Sequence, residues 1–114
     1  MPFIQLKTSS AISAEQEKVL KDLFGKDISL LPGKSEEWLM VSFEERKHLY
    51  FQGNKDKDSA ILEVKVYGKA EPEDYEKLTR KLTKDVASVL PLEPDRIYVE
   101  YEETPTWGFA GSNF

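Results

Sequence analysis

Proline follows the first methionine of this chain, in the stretch Met-Pro-Phe-Ile-Gln-Leu-Lys. A small residue at position two permits removal of Met1, which would leave Pro2 carrying a free secondary amine. Burial of such an amine in an apolar pocket disfavours its charged form and lowers its pKa. A general base works best when that pKa lies near the operating pH. The chemistry also needs a cation to steady the oxygen that turns negative when a carbon acid loses its proton. Lys34, just after the Pro32-Gly33 turn, is a candidate, although a lone lysine in such a turn is commonly solvated and a proline at position two is itself common. Tyr98 and Glu100 stand two apart and share one face of a strand, and Glu102 continues that face. Acids near a terminal amine would alter its titration, whereas alternating acids on a solvated face are ordinary. The tail carries Trp107, Phe109 and Phe114, interleaved with Gly108 and Gly111. Chain ends are as a rule frayed and polar, so these aromatics should pack, as a pocket wall or as a cap on an interface.

The bulk composition narrows the classes. With 114 residues the chain reads as one domain, 1–114. A charged content of 32% and a net charge of −5 argue for a soluble globular protein and against a nucleic-acid binder, which needs clustered Lys and Arg. No cysteine is present, which removes disulfides, thiolate metal sites and cysteine nucleophiles. The single histidine, His48, cannot build a multi-histidine metal site. No apolar run approaches the roughly 18 residues of a membrane span, and the N-terminus lacks the regions of a secretory signal. The expectation is a cytoplasmic protein without a metal, with unconventional secretion left open. The segment His48-Leu-Tyr-Phe-Gln-Gly53 resembles a tag-protease scar, but it is read as native sequence within a strand pattern.

The elements that would position the candidate residues come as a duplication. Residues 11–45 align with 70–104 without a gap, with Ala11/Ala70, Glu17/Glu76, Leu23/Leu82, Leu31/Leu90 and Pro32/Pro91 identical. Two copies do not make a solenoid; they imply a duplicated strand–helix–strand unit. In the first, a strand at 2–7 precedes a helix capped by Ser13 with Gln16 completing a capping box, and Val19, Leu20, Leu23, Phe24 and Ile28 recur at helical spacing. A break at Leu31-Pro32-Gly33 leads to a strand at 37–43. In the second, "AILEVKVYG" is a strand, Pro72 suits a first helical turn, Tyr75, Leu78, Leu82, Val86 and Val89 form one stripe, and "RIYVEYEE" is the closing strand. The sum is an α+β fold, a four-stranded mixed sheet with two helices on one face. Trp38, Leu39, Met40, Val41 and Phe43 then put apolar groups on both faces of their strand, so a second subunit is expected over the open face.

These pieces together resemble the macrophage migration inhibitory factor (MIF) branch of the tautomerase superfamily, which includes D-dopachrome tautomerase and bacterial relatives. The resemblance spans the chain and rests on Pro2, Gly33-Lys34 before a strand, Tyr67-Gly-Lys69 before the second helix, "PDRIYVEY" at 94–101 and "WGFAGSNF" at 107–114. It implies the tautomerase fold assembled as a homotrimer, with active sites at subunit interfaces. It also implies cofactor-independent keto–enol tautomerisation of phenylpyruvate-like α-keto acids. By the same resemblance Pro2 is the base and Lys34 binds the substrate carboxylate or enolate. The Tyr67 amide is a main-chain donor, Tyr98 comes from a neighbouring subunit, and Trp107, Phe109 and Phe114 form the apolar wall. The chain departs from the mammalian cytokine in placing Glu100 for an asparagine, Tyr67 for a smaller aliphatic residue and Phe109 for tryptophan, and it lacks the Cys-x-x-Cys segment. A carboxylate at 100 could raise the Pro2 pKa and repel an acid substrate; Tyr67 could narrow the pocket.

Three functions compete on this reading. The first is a phenylpyruvate tautomerase-like isomerase. The second is a MIF-like cytokine or protein-interaction role, with a protein receptor as partner and a vestigial pocket. The third uses a charged Pro2 as an acid in hydration or decarboxylation, chemistry that relatives support with pocket arginines; Arg46, Arg80 and Arg96 lie in no matching motif. A shared fold does not by itself choose among them.

Overall fold

The two repeats fold as expected and join along an antiparallel seam. The computed structural model describes residues 1–114. The first unit is β1 (Pro2–Thr8), α1 (Ala14–Asp27) and β2 (Met40–Glu44); the second is β3 (Ala60–Tyr67), α2 (Pro72–Val89) and β4 (Ile97–Thr104). The sheet order is β2-β1-β3-β4. Each crossover makes its two strands parallel, and β1 meets β3 antiparallel, with Pro2 opposite Val66 and Thr8 opposite Ala60. Both helices lie over one face, as right-handed crossovers require. A small C-terminal hairpin, β5 (Gly108–Phe109) with β6 (Ser112–Asn113), stands apart from the sheet.

Local chemistry sets the helix boundaries. The Gln16 N–H donates to Ser13 Oγ at 3.1 Å and the Ser13 N–H donates to Gln16 Oε1 at 2.9 Å, which satisfies two otherwise orphaned donors. Pro72 opens α2, where its missing N–H costs nothing. From α1, Leu20 and Phe24 enter the core, followed by Ile28 just past its end; Val19, expected on the same stripe, is exposed. Leu78, Leu82 and Val86 are the fully buried part of the α2 stripe, flanked by half-buried Tyr75 and Val89. Ile4, Leu6, Leu62, Val64 and Val66 meet them from the sheet, every second residue as the pleat dictates.

Three expectations are corrected. The segment before β2 is not strand throughout: Glu36–Trp38 is a 3-10 turn, and the strand begins at Met40. With β1 in register against it, Val41 and Phe43 face the helices, while Met40, Ser42 and Glu44 share the open face with Phe3, Gln5 and Lys7. The open face is therefore mixed, carrying the ion pairs Lys7–Glu63 at 3.2 Å and Lys65–Glu102 at 3.7 Å, and the doubly apolar strand does not exist. The segment 48–53 is loop rather than strand. It ends in a tight turn, with Gln52 and Gly53 at positive φ between Phe51 and Asn54, whose N–H and C=O groups bond reciprocally at 2.8 and 3.2 Å.

Candidate active site

The chain start is held where the seam ends. Pro2 is buried at the first position of β1. At the close of β3, the Tyr67 N–H donates to the Met1 carbonyl oxygen at 3.0 Å. Lys34 comes from the turn after α1, where its N–H donates to the Leu31 carbonyl at 3.0 Å. Its half-buried side chain reaches across, and Nζ donates to the Tyr67 carbonyl at 2.9 Å. One residue of β3 thus ties the terminus with its N–H and the lysine with its C=O. Burial, and after it the Lys34 charge, hold the Met1 amino group below its ordinary pKa.

The loop after Tyr67 is anchored from β4. The Gly68 N–H donates to the Thr104 carbonyl at 3.0 Å. Glu103 accepts from the Ala70 N–H at 3.2 Å and from the Tyr75 hydroxyl at 2.6 Å. These bonds depress the Glu103 carboxyl, with the tyrosine contact the largest cause, while burial first and Glu103 second push the Tyr75 hydroxyl upward. Gly68 has φ +87, a left-handed value that a side chain would strain.

Beside Pro2 opens a cleft of about 620 Å³ whose wall includes Trp38, Met40, Lys65, Trp107 and Phe109. Trp38 meets Phe109 edge-on, ring centroids 5.3 Å apart. Phe114 lies against Tyr67, ring centroids 5.9 Å apart, and its N–H donates to the Trp107 carbonyl at 2.9 Å. Pro2, Lys34, Tyr67, Trp107, Phe109 and Phe114 are thereby gathered at one end of the molecule. Trp38 and Lys65 join them and were not among the residues expected there. An aromatic shortly after Gly33-Lys34 was the available signal for Trp38; for Lys65 there was none.

Tyr98 and Glu100 are not brought to this place. Tyr98 lies opposite Ile61 on the open face, five positions along β3 from the residue opposite Pro2. At about 3.4 Å per residue this is roughly 17 Å along the sheet. Tyr98 instead meets Phe51 edge-on at 5.2 Å, and Arg96 sits 5.2 Å from the other side chain's ring centroid, in a second cleft of about 120 Å³ that also includes Ala60 and Ile61. Glu100 stands opposite Glu63. No group of three or more His, Cys, Asp or Glu side chains is placed to hold a metal, and no helix is long and apolar enough to cross a membrane.

A sequence model of the family described as macrophage migration inhibitory factor (MIF) matches residues 1–114. The chain belongs to the MIF family. Among solved structures, it is similar to MIF2 of Leishmania major, with TM-score 0.92 and 26% identity over 100% of this chain and 97% of that one. It is also similar to the MIF homologue of Prochlorococcus marinus, with TM-score 0.88 and 28% identity over 98% of each, and to the MIF-like protein of Entamoeba histolytica, with TM-score 0.86 and 23% identity over 99% and 98%. No curated protein sequence matches. The duplicated strand–helix–strand sheet described above is thus the MIF and tautomerase fold, and its relatives place this MIF-family chain in the tautomerase superfamily.

Proposed function

We propose that this MIF-family protein is a cofactor-independent keto–enol tautomerase for phenylpyruvate-like α-keto acids, working as a homotrimer after Met1 is removed. The observation that carries the reading is the setting of the chain start, where an amino group is kept below its ordinary pKa by burial and a neighbouring lysine. The same causes would act on the secondary amine of Pro2 and keep it available as a base near neutral pH.

Removal of Met1 also takes away its carbonyl, so the Tyr67 N–H loses its acceptor. In the enolising direction Pro2 would take the proton from the carbon next to the ketone, and the electron pair would move to the carbonyl oxygen. The Lys34 ammonium and the freed Tyr67 N–H would stabilise that oxygen, since fixed donors act most strongly where charge develops. Reprotonation by the prolinium completes the exchange. Trp38, Trp107, Phe109 and Phe114 supply the apolar surface for an aryl group.

Trimer assembly is supported by what one chain leaves incomplete. Tyr98 is 60% exposed and too far along the sheet to reach its own Pro2. A neighbouring copy would bring Tyr98 and Glu100 to the cleft. The outer edges of β2 and β4 are free to join other sheets.

The test is turnover of enol phenylpyruvate against pH, on protein shown by mass to lack Met1. The reading expects activity that rises through an apparent pKa below that of a free secondary amine and is lost in Pro2→Gly. Equal turnover by Pro2→Gly would remove Pro2 as the base. Family membership also supports a cytokine-like role; absence of turnover together with receptor binding by the Pro2→Gly variant would select it.

A further inference from the structure

A buried acid pair lies in the helix layer, away from the cleft. Asp27, the last residue of α1, and Asp85 of α2 are each 4% exposed. Lys81 Nζ lies 2.6 Å from Asp85 Oδ1 and 3.5 Å from Asp27 Oδ1. The remaining oxygens, Asp27 Oδ2 and Asp85 Oδ2, are buried without any N–H or hydroxyl donor. Two buried carboxylates with one cation between them would leave both oxygens unpaired and repelling. One proton held between the two carboxyls satisfies both at once. The end of α1 favours the same solution, because the negative end of a helix dipole disfavours an ionised acid there.

The pair is the start of the segment that ends at Lys34. Asp27 runs directly into the 3-10 turn Ile28–Leu30, the Leu31 N–H bonds back to the Ile28 carbonyl, and the Lys34 N–H bonds back to the Leu31 carbonyl, both at 3.0 Å. Lys81 is the cation that meets both carboxyls. Lys77, Arg80 and Lys84 of α2 stand with it around the exposed Leu30, and Lys26 precedes Asp27 in the last turn of α1. The 3-10 turn contributes no charge, and the core beneath is apolar, with Phe24, Ile28, Leu82 and Val86 fully buried.

We propose that the Asp27–Asp85 pair is a proton-operated clamp that docks the end of α1 onto α2 and so positions the Lys34 turn. With the proton in place the turn is held; when Asp27 gives its proton to solvent, the like charges part and the segment from Asp27 to Lys34 loosens. Burial first, then the Asp85 carboxyl, push Asp27 up to about 7, so the clamp opens near neutral pH. Asp27 is thus a positioning residue for Lys34, a role that rests on the tautomerase reading.

Amide hydrogen exchange at Leu31 and Lys34, corrected for intrinsic rates, separates this proposal from that reading because it needs no turnover. Between about pH 5.5 and about pH 8.5, protection of these amides should fall about tenfold in the wild type. It should stay constant in Asp27→Asn, whose amide can donate to Asp85 but cannot ionise. Asp85→Asn, where one carboxylate faces an amide donor, should also be constant and serves if the first variant folds poorly. In the kcat/KM profile, a fall on the alkaline side should be present in the wild type and absent from Asp27→Asn. Wild-type protection that does not change with pH, or a fall that persists in both variants, would overturn the clamp. A wild type with no turnover but with the expected exchange would sink the tautomerase reading and leave the clamp standing.

Discussion

The Tyr67 amide donates to the carbonyl oxygen of Met1 at 3.0 Å. That single bond makes the first residue an occupant of the site, and it leads to the first prediction. Protein that retains Met1 should be silent, because the Pro2 nitrogen is then a peptide nitrogen and the donor is engaged. Trimming the same sample with a methionine aminopeptidase should raise turnover by at least about a hundredfold, the scale of a positioned base. The rate and the mass spectrum should change in step; equal rates before and after trimming would refute the assignment.

Trp38 meets Phe109 across the cleft and is 46% exposed. Its loss should weaken substrate binding more than folding. An edge-on contact between Trp38 and the aryl ring of a bound substrate would be worth about 1 kcal/mol, or roughly fivefold in affinity. Trp38→Ala should therefore raise KM for phenylpyruvate about fivefold while the melting temperature barely moves. A large drop in melting temperature at unchanged KM would make the residue structural only.

Because Tyr98 and Pro2 lie at different ends of one chain, defects in them should complement. Pro2→Gly and Tyr98→Ala should each be nearly inactive alone. Unfolded together and refolded as mixed oligomers, they should regain activity, since some interfaces then pair an intact Pro2 with an intact Tyr98. Light scattering should show the mass of three chains. No recovery from properly mixed oligomers would refute a site shared between Pro2 of one chain and Tyr98 of another.

Asp27 sets a pH dependence of stability with a definite sign. Unfolded, an aspartate gives up its proton near about 3.9; in the fold Asp27 keeps it to about 7. Across that window the folded state binds more protons, so its stability falls as pH rises, and the loss is complete above the upper value. Urea unfolding at fixed protein concentration should show the decline, on the order of a few kcal/mol, in the wild type. Asp27→Asn should flatten the curve and be the more stable protein at about pH 8. An unchanged slope would show that other groups set the dependence.

Local signals carried most of the fold. The Ser13–Gln16 box, Pro72 and the repeat needed only short-range rules, and the structure follows them. Where the expectation failed, different things decided. Trp38 left the strand because the chain makes a 3-10 turn over Glu36–Trp38, so pairing with β1 begins only at Met40 opposite Phe3, and that register turns Val41 and Phe43 toward the helices. Nothing in the sequence near Asp27 or Asp85 announces their pairing between helices. Within the site, the backbone of Tyr67 joins the chain start and Lys34, a meeting of segments far apart in sequence. Lys65 joins the cleft only through the alternation of β3.

The antiparallel seam has two ends, and each has a cleft. The one beside Pro2 begins a chain; its counterpart, beside Ala60 and Ile61 at the start of β3, continues one. The duplication is therefore repeated in topology and asymmetric in chemistry, for only a chain end offers the secondary amine of a terminal proline. A circular permutant opened within residues 54–59 and closed between 114 and 1 would turn that around. It would silence the first cleft and set a new terminus among Phe51, Arg96 and Tyr98.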